Sequence, residues 1–157
     1  MIPPHLRNSR GIITGAARMK TREEKENICM MLDNVDDKKD LWLIYELVEG
    51  HTMNELLFDV KGEFYKGERL YMVHHSSFYH ALRTNLELLK DFIYRMCLAL
   101  SSFARISIVH GDLKPDNIII DYDQASQSIR TLKIIDLGSS FLLNQEGRTL
   151  RNQCEFV

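Results

Sequence analysis

The stretch that decides the fold reads VHGDLKPDNIII over residues 109–120 and, after a short break, LKIIDLG over residues 132–138. Its apolar parts predict short strands on both sides of a polar loop, and the polar residues 121–128 predict a turn. Buried strands hold such a loop at the edge of a packed core. Asp, Asn and Gly are each ordinary turn residues, but this many fixed identities at fixed spacing exceed what turns require.

The pattern His-x-Asp-x-Lys-x-x-Asn, followed by a hairpin and Asp-x-Gly, resembles the catalytic loop and metal-binding segment of eukaryotic-type Ser/Thr protein kinases. The resemblance implies ATP and Mg²⁺ as cofactors. It makes Asp112 the candidate base and orienting group for an acceptor hydroxyl, and it directs Lys114 to the transferring phosphate. It makes Asn117 and Asp136 metal ligands, and Gly138 lets the chain turn beside the metal.

The resemblance extends to residues 41–50, which read LWLIYELVEG and are similar to the fifth strand and hinge of the kinase small lobe. On this match Tyr45 is the gatekeeper. The carbonyl of Glu46 and the backbone of Val48 then hydrogen-bond the adenine edge of the nucleotide. Residues 27–33 resemble the entry to the preceding strand. Taken alone, the apolar run would indicate a plain core strand.

The resemblance predicts an α+β fold of the two-lobed protein-kinase kind, truncated within its large lobe. It implies transfer of the γ-phosphoryl group of ATP to a hydroxyl of a protein substrate, by a chain that is incomplete for that activity on its own. It divides the chain into an irregular N-terminal segment with a short helix (1–26) and a partial kinase domain (27–157). The domain contains the hinge near 46–50, the catalytic loop 110–117, the metal-binding segment 136–138 and an activation loop at about 139–157.

Apolar spacing predicts the elements between these motifs. Residues 14–25 favour a helix, and residues 28–32 and 41–47 favour an antiparallel hairpin. A short helix is expected over residues 53–58, and a charged, Gly-interrupted surface loop over residues 61–69. A long helix should run from Leu86 to Arg105, because one apolar stripe recurs at three- and four-residue spacing along it: Leu89, Phe92, Ile93, Met96, Leu100 and Phe103.

Several parts of the kinase pattern are missing. No glycine-rich phosphate lid precedes the hinge, and Lys20 is too close to Tyr45 to be the ATP-positioning lysine. The acidic residues Glu23, Glu24 and Glu26 favour a solvated helix end over a buried ion-pair partner. These departures motivate a second hypothesis, a pseudokinase-like module that binds or scaffolds without catalysing.

Gly111 stands where most protein kinases carry an arginine, so a phosphorylated activation loop would find no guanidinium there. Phosphorylation of Ser139, Ser140 or Thr149 is therefore not expected to be an obligatory switch. The His-Gly-Asp form also resembles small-molecule kinases of the aminoglycoside and choline type. Lys114 and the residues that follow it favour a protein kinase, and a Ser/Thr kinase over a Tyr kinase.

The composition limits the partners and the compartment. A net charge of -2 and a pI near 6.3 argue against nucleic-acid and membrane-surface binding, and no run approaches the roughly 18 apolar residues of a membrane span. Three dispersed cysteines indicate reduced thiols in the cytoplasm or nucleus. The histidines at 74, 75 and 80 are expected to be solvated loop residues. Besides the protein substrate, we expect a partner that covers exposed large-lobe surface.

Overall fold

The computed structural model describes residues 22–37 and 40–143, and side chains from residue 25 onward within these ranges. Its strands pair antiparallel in small sheets and its helices are segregated from them, so the α+β class is confirmed. In chain order the elements are α1 (Arg22–Asn27), β1 (Met31–Asp36), β2 (Leu41–Tyr45), β3 (His51–Thr52), α2 (Met53–Leu57), β4 (Phe58–Tyr65), β5 (Glu68–His75), α3 (Ser77–Thr84), α4 (Leu86–Arg105), β6 (Ile108–Val109), a 3₁₀ turn (Pro115–Asn117), β7 (Ile118–Asp123), β8 (Ser128–Ile134) and β9 (Phe141–Leu142).

The predicted N-terminal hairpin is present as β1 and β2, but its first strand begins at Met31 and not at Ile28. Ile28 is fully buried and forms a parallel bridge to Ile134 in β8. The amide of Cys29 donates to the carbonyl of Ile134 at 2.9 Å. The apolar residues at 28–29 therefore belong to the contact with β8, and the strand itself continues into exposed polar residues.

Helix α4 has the predicted bounds, and Asn85 caps it by accepting hydrogen bonds from the amides of Glu87 and Leu88. The predicted apolar stripe is wrong in two places, because Ile93 and Leu100 are exposed. The line of side chains that faces the core differs from the predicted stripe by one position at two places, with Leu88 in place of Leu89 and Ala99 in place of Leu100, so small residues take part in it. This line comprises Leu88, Phe92, Met96, Ala99, Ser102 and Phe103.

Two hydrophobic clusters pack along α4 and share the β7–β8 hairpin. One includes Ile28, Phe103 and Ile134, and the other includes Phe78 and Ile120. Full burial of one such side chain stabilises the fold by about 1.5–3 kcal/mol. Since one cluster uses both β7 and β8 and the other uses Ile134 of β8 and Leu137 just after it, the polar loop before β7 and the segment after β8 leave from the best-packed part of the molecule.

The β7–β8 hairpin is longer than the sequence predicts, since the turn covers only residues 124–127. Arg130 explains the difference. Its guanidinium donates two hydrogen bonds of 2.8 Å to the carboxylate of Asp121 and one of 3.2 Å to Asp123. These cross-strand pairs hold the polar residues in strand conformation, although their sequence is typical of a turn.

Residues 61–69, predicted as a surface loop, instead form the outer half of the β4–β5 hairpin, and the prediction is wrong for this segment. The two turn residues Lys66 and Gly67 both have positive φ, 52° and 87°, as a type I′ hairpin turn requires. The hairpin is exposed along its length. His74 and His75 lie in β5, where the ring of His75 stacks on Tyr79 at a centroid distance of 3.8 Å. These histidines and His80 of α3 are exposed as predicted, but not in a loop.

None of the helices in the described ranges combines the length and apolar character that a membrane crossing needs. The predictions that concern Lys20 and Thr149, and the part of the predicted activation loop after residue 143, lie outside the described residues.

Candidate active site

The polar loop begins where β6 ends and terminates where β7 begins. Strand β6 pairs with β9, and β7 pairs with β8 in a register that sets Ile118 opposite Ile134. One residue beyond that pair, the amide of Ile135 donates to the carbonyl of Asn117 at 2.9 Å. This register brings Asn117 next to Asp136, although 19 positions of sequence separate them.

His110 ties the loop to the segment after β8. The amide of Asp112 donates to Nδ1 of His110 at 3.3 Å, so Nδ1 is the acceptor nitrogen. Nε2 therefore carries the proton, and it donates to the carbonyl of Ile135 at 2.9 Å. The ring is buried and meets Phe103 edge-on. Sequence reasoning assigned no role to this histidine, although its place directly after an apolar strand was a usable signal.

Asp112, Lys114 and Asn117 form one hydrogen-bonded group. Lys114 Nζ lies 2.8 Å from Oδ2 of Asp112. The side-chain amide of Asn117 donates to the carbonyl of Asp112 at 2.8 Å and to the same Oδ2 at 3.1 Å. These bonds leave Oδ1 of Asp112 and Oδ1 of Asn117 as acceptors without a partner among the described residues.

The charges in this group reinforce each other. The hydrogen bond from Lys114 lowers the pKa of Asp112 below its usual value, with a smaller contribution from Asn117. The same contact raises the pKa of Lys114. Asp112 is therefore an anion and Lys114 a cation across the neutral range, which suits orientation of a hydroxyl better than strong base catalysis.

Asp136 has an unusual backbone, with φ of 58°. Its Oδ1 accepts a 3.1 Å hydrogen bond from the amide of Gly138. Leu137 between them is buried in the core and anchors the turn, while Asp136 itself is exposed. A side chain at position 138 would meet Oδ1 of Asp136 at 3.0 Å, so glycine here leaves the carboxylate room. The carboxylate is thus fixed in position and open to solvent.

Gly111 is required by its surroundings. Its φ is 82°, and an added Cβ would lie 2.4 Å from the carbonyl oxygen of Ser139. Ser140 is buried, and its hydroxyl donates to the carbonyl of Leu137 at 2.6 Å. The close approach of residues 111 and 139 accounts for glycine at a position where most protein kinases carry arginine.

A cavity of about 460 Å³ joins the predicted hinge to the predicted metal-binding segment. All the predicted nucleotide-contacting residues line it: Tyr45, Glu46, Val48, Asp136 and Gly138. Cys29, Leu43, Leu47, Ile119 and Ile135 complete the lining, which is mainly apolar. Gly50, with φ of 117°, lies so close to the carbonyl of Ile120 that an added Cβ would clash, and this contact holds the end of the hinge against β7.

An ion pair that the sequence did not reveal lies behind this cavity. Lys133 Nζ is 2.5 Å from Oε1 of Glu46, and the same oxygen accepts a hydrogen bond from the amide of Met30 at 2.7 Å. Lys133 Nζ also donates to the carbonyl of Lys25 at 2.9 Å. The pair connects the hinge, the start of β1, the end of α1 and the strand that leads to Asp136. A lysine inside the apolar run 132–135 was the only sequence signal for it.

The thiol of Cys29 stays protonated at physiological pH and is therefore a poor nucleophile. Its burial, together with the nearby Glu46, raises its pKa to about 11. Burial also raises the pKa of Tyr45, with smaller contributions from Cys29 and Asp136. Both side chains are therefore neutral at physiological pH and contribute to the cavity as uncharged surface.

A larger depression of about 1010 Å³ lies between α1, α4 and β8, away from the polar loop. Its principal cations are already engaged: Arg95 with Asp91, Arg130 with Asp121, and Lys133 with Glu46. The predicted site residues do not line it, so its greater volume does not make it the candidate active site.

Comparison with known proteins agrees with this geometry. The family model of the protein kinase domain matches residues 8–156. A serine/threonine-protein kinase 1 of African swine fever virus is 38% identical over 56 residues, which are 36% of this chain and 17% of the viral protein. The "Probable serine/threonine-protein kinase yakA" of Dictyostelium discoideum is 31% identical over 119 residues, 75% of this chain and 6% of that protein.

The cysteine-rich receptor-like protein kinase 7 of Arabidopsis thaliana is 28% identical over 134 residues, 84% of this chain and 17% of the plant protein. The chain thus spans less than a fifth of the length of each of these curated relatives. The match to the family model covers the hinge, the polar loop and the segment around Asp136. The chain belongs to the protein kinase family.

Proposed function

We propose that this chain is the catalytic segment of a Ser/Thr protein kinase, which transfers the γ-phosphoryl group of ATP to a hydroxyl of a protein substrate in the cytoplasm or nucleus. The observation that carries the proposal is the single cavity that joins the hinge residues Tyr45, Glu46 and Val48 to Asp136, with the Asp112 group directly beside it.

The donor set suits Mg²⁺. Both hydrogens of the Asn117 side-chain amide are directed at Asp112, so its Oδ1 is the atom available to a cation. Asp136 offers a carboxylate whose orientation is fixed by the amide of Gly138. Magnesium prefers such hard oxygen ligands and is held by one or two protein groups together with phosphate oxygens. Bound Mg²⁺ would neutralise the negative charge of the phosphates during transfer.

The hinge suits adenine. An apolar slot with exposed backbone donors and acceptors along one edge is what a planar base needs. The carbonyl of Glu46 and the backbone of Val48 provide that edge, and Ile119 and Ile135 provide apolar surface across the slot.

The Asp112 group suits an acceptor hydroxyl. Oδ1 of Asp112 is open to a hydroxyl donor, while Oδ2 is held by Lys114 and Asn117. Lys114 supplies positive charge where negative charge develops on the transferring phosphate. Its position in the loop also supports Ser/Thr over Tyr specificity and a protein over a small-molecule acceptor.

A thermal-shift titration with Mg-ATP tests the nucleotide site. We expect the unfolding temperature of the wild-type chain to rise with Mg-ATP concentration, because a ligand that binds only the folded state stabilises it. Asp136→Ala should lose most of the Mg²⁺-dependent part of the shift and keep the shift produced by adenosine. A wild-type chain that shows no shift with either ligand contradicts the proposal.

One observation favours a binding or scaffolding module instead. Among the described residues, the cavity lining contains no lysine or arginine to hold the nucleotide phosphates. Such a module would bind its partner without turnover. Phosphorylation of a generic basic Ser peptide by the wild-type chain, absent in Asp112→Asn, would exclude this second candidate.

A further inference from the structure

The β4–β5 hairpin is an exposed ribbon with two chemically different faces. Its register sets Val60 opposite Val73 and Gly62 opposite Tyr71. The side chains of Val60, Tyr71 and Val73 therefore share one face with Phe64. We call this the apolar face. The other face carries a mixture of charged and apolar side chains: Asp59, Lys61, Glu63, Tyr65, Glu68, Leu70, Met72 and His74.

The apolar face is not used by the core of the molecule. Val60, Phe64, Tyr71 and Val73 are all exposed, and neither core cluster includes them. Toward the tip, the Arg69 guanidinium covers the rings of Phe64 and Tyr71 at 5.9 and 5.4 Å. Toward the base, no arginine among the described residues covers the two valines in this way. The uncovered part of the face therefore lies nearest to the body of the protein.

A groove of about 500 Å³ is formed there between the ribbon and α2. Phe58, Val60 and Val73 give it an apolar floor and Glu55 of α2 gives it a carboxylate, while Asp59 lines it from a strand position whose side chain belongs to the other face. Hydrogen bonds from Thr52 lower the pKa of Glu55, so this carboxylate stays ionised near neutral pH. The groove is thus apolar and anionic, with no cation among its lining residues.

The groove is continuous with the candidate active site. Asn54 lines the groove, and its side-chain amide donates a 3.2 Å hydrogen bond to Oδ1 of Asp116 in the polar loop. Asp116 is exposed and adds a second carboxylate between the groove and Asp112. An extended polypeptide gains roughly 3.3 Å per residue, so one short segment can occupy the groove and still present a hydroxyl to the loop.

We propose that the groove between α2 and the β4–β5 ribbon binds a segment of the protein substrate in which basic and apolar side chains alternate. Alternation places the apolar side chains of an extended segment on the valine floor and its basic side chains toward Glu55 and Asp116. The assignment of the occupant as a substrate rests on the proposed kinase function, whereas the chemistry of the groove does not.

Fluorescence polarisation on the full chain tests the groove directly. The probe is a fluorescein-labelled peptide of about ten residues, a span of about 33 Å when extended, in which Arg and Val alternate around one Ser. We expect saturable binding that weakens as salt is added, because the contacts include exposed charges. The same peptide with Glu in place of Arg should bind at least about tenfold more weakly.

The two faces of β5 provide a matched pair of variants. Val73→Asp places a charge on the floor of the groove, and Met72→Asp places one on the opposite face of the same strand, at 59% and 41% side-chain exposure respectively. Val73→Asp should weaken peptide binding at least about tenfold, and Met72→Asp less than about twofold. The proposal is overturned if both variants bind the Arg peptide as tightly as the wild-type chain does, or if both lose affinity to the same extent. It is also overturned if the wild-type chain binds the Glu peptide as tightly as the Arg peptide.

Two further measurements keep the outcome decisive. If Val73→Asp fails to fold, Val60→Thr keeps a β-branched residue in the strand and removes apolar surface from the floor, and it should weaken peptide binding while Met72→Thr does not. Each sample is also titrated with Mg-ATP. Peptide binding without nucleotide binding would support the groove as a binding site. It would contradict the assignment of the bound segment as a phosphorylation substrate.

Discussion

At the scale of single residues, backbone conformation carries much of the candidate site. Gly111 and Asp136 both have positive φ, and they lie on the two segments that His110 joins. Such conformations cost about 1–3 kcal/mol outside glycine and persist only where the surroundings enforce them. Here the enforcement comes from buried Leu137 and from the hydrogen bonds of His110 and Gly138. The geometry of the site is therefore set by its packing before any ligand binds.

Two glycines with positive φ separate the effect of backbone strain from that of close contact. An added Cβ at Gly111 would lie 2.4 Å from a carbonyl oxygen, whereas at Gly67 nothing lies within 4 Å. Gly67→Ala should therefore cost only the strain of about 1–2 kcal/mol. Gly111→Ala should cost a further 1–3 kcal/mol or so for overpacking. Urea denaturation of both variants measures the difference, and equal losses would contradict the close contact.

The motif residues Asp112, Lys114, Asn117 and Asp136 were identifiable from the sequence because their types and spacing follow from the chemistry they perform. The partners of the supporting residues were not. His110 belongs to the motif, but its acceptor is the carbonyl of Ile135; Ser140 likewise acts through a carbonyl acceptor, and Cys29 lines the cavity through its burial. Only folding determines those neighbours.

At the scale of elements, whether a helix or strand could be predicted from the sequence depends on which interactions specify it. Helix α4 and the hairpin of β1 and β2 are specified by local apolar spacing, and both were predicted. The ribbon of β4 and β5 is specified by a two-residue turn with Lys66 in place of the usual Asn or Asp. The extension of β7 is specified by Arg130 from the facing strand. Cross-strand partners and shifted helix faces are properties of packing, so a single sequence does not disclose them.

The ion pair between Lys133 and Glu46 leads to a prediction about the stability of the contacts between elements. Lys133 is 14% exposed and Glu46 27%, so loss of one partner leaves a poorly solvated charge. We expect Lys133→Met to destabilise the fold by about 1–3 kcal/mol and to weaken adenosine binding through displacement of the hinge. Urea denaturation and an adenosine titration measure the two effects.

Two control variants accompany that prediction. Lys90→Met removes the exposed pair with Glu87 and should change the stability by no more than about 1 kcal/mol. Adding Glu46→Gln to Lys133→Met should recover part of the lost stability, because the unpaired carboxylate is then neutral. A double variant at least as unstable as the sum of the singles would show that the pair has no such role.

At the scale of the whole molecule, stability is unevenly distributed. The cluster around Ile120 includes β7 and β8 and the cluster around Ile134 includes β8, whereas neither includes a residue of the ribbon, of which Phe58 is partly buried at the base. Regions with little buried apolar contact open at low free energy, and core strands open only with global unfolding. The candidate active site thus rests on the most stable part, and the proposed docking surface on the least stable part.

Hydrogen exchange followed by mass spectrometry measures this distribution. Amides of residues 118–120 and 132–134 should exchange slowest among the described residues, and those of residues 60–73 should exchange within the fastest class of hydrogen-bonded amides. The peptide probe used for the groove should slow exchange in residues 60–73 while leaving the β7–β8 amides unchanged. Slow exchange of the ribbon without peptide would contradict its independence from the core.

The pairing of Phe58 with His75 has a consequence for how this protein can be rebuilt. Because the two ends of the ribbon lie side by side, at a Cα separation of about 4.5–5.5 Å in such a pair, residues 59–74 can be excised and the gap closed by a two-residue turn. The ribbon is thus joined to the rest of the molecule at two neighbouring points of the chain. A related kinase with a tight turn at that place could accept it as a graft, which would transfer the ribbon side of the proposed groove.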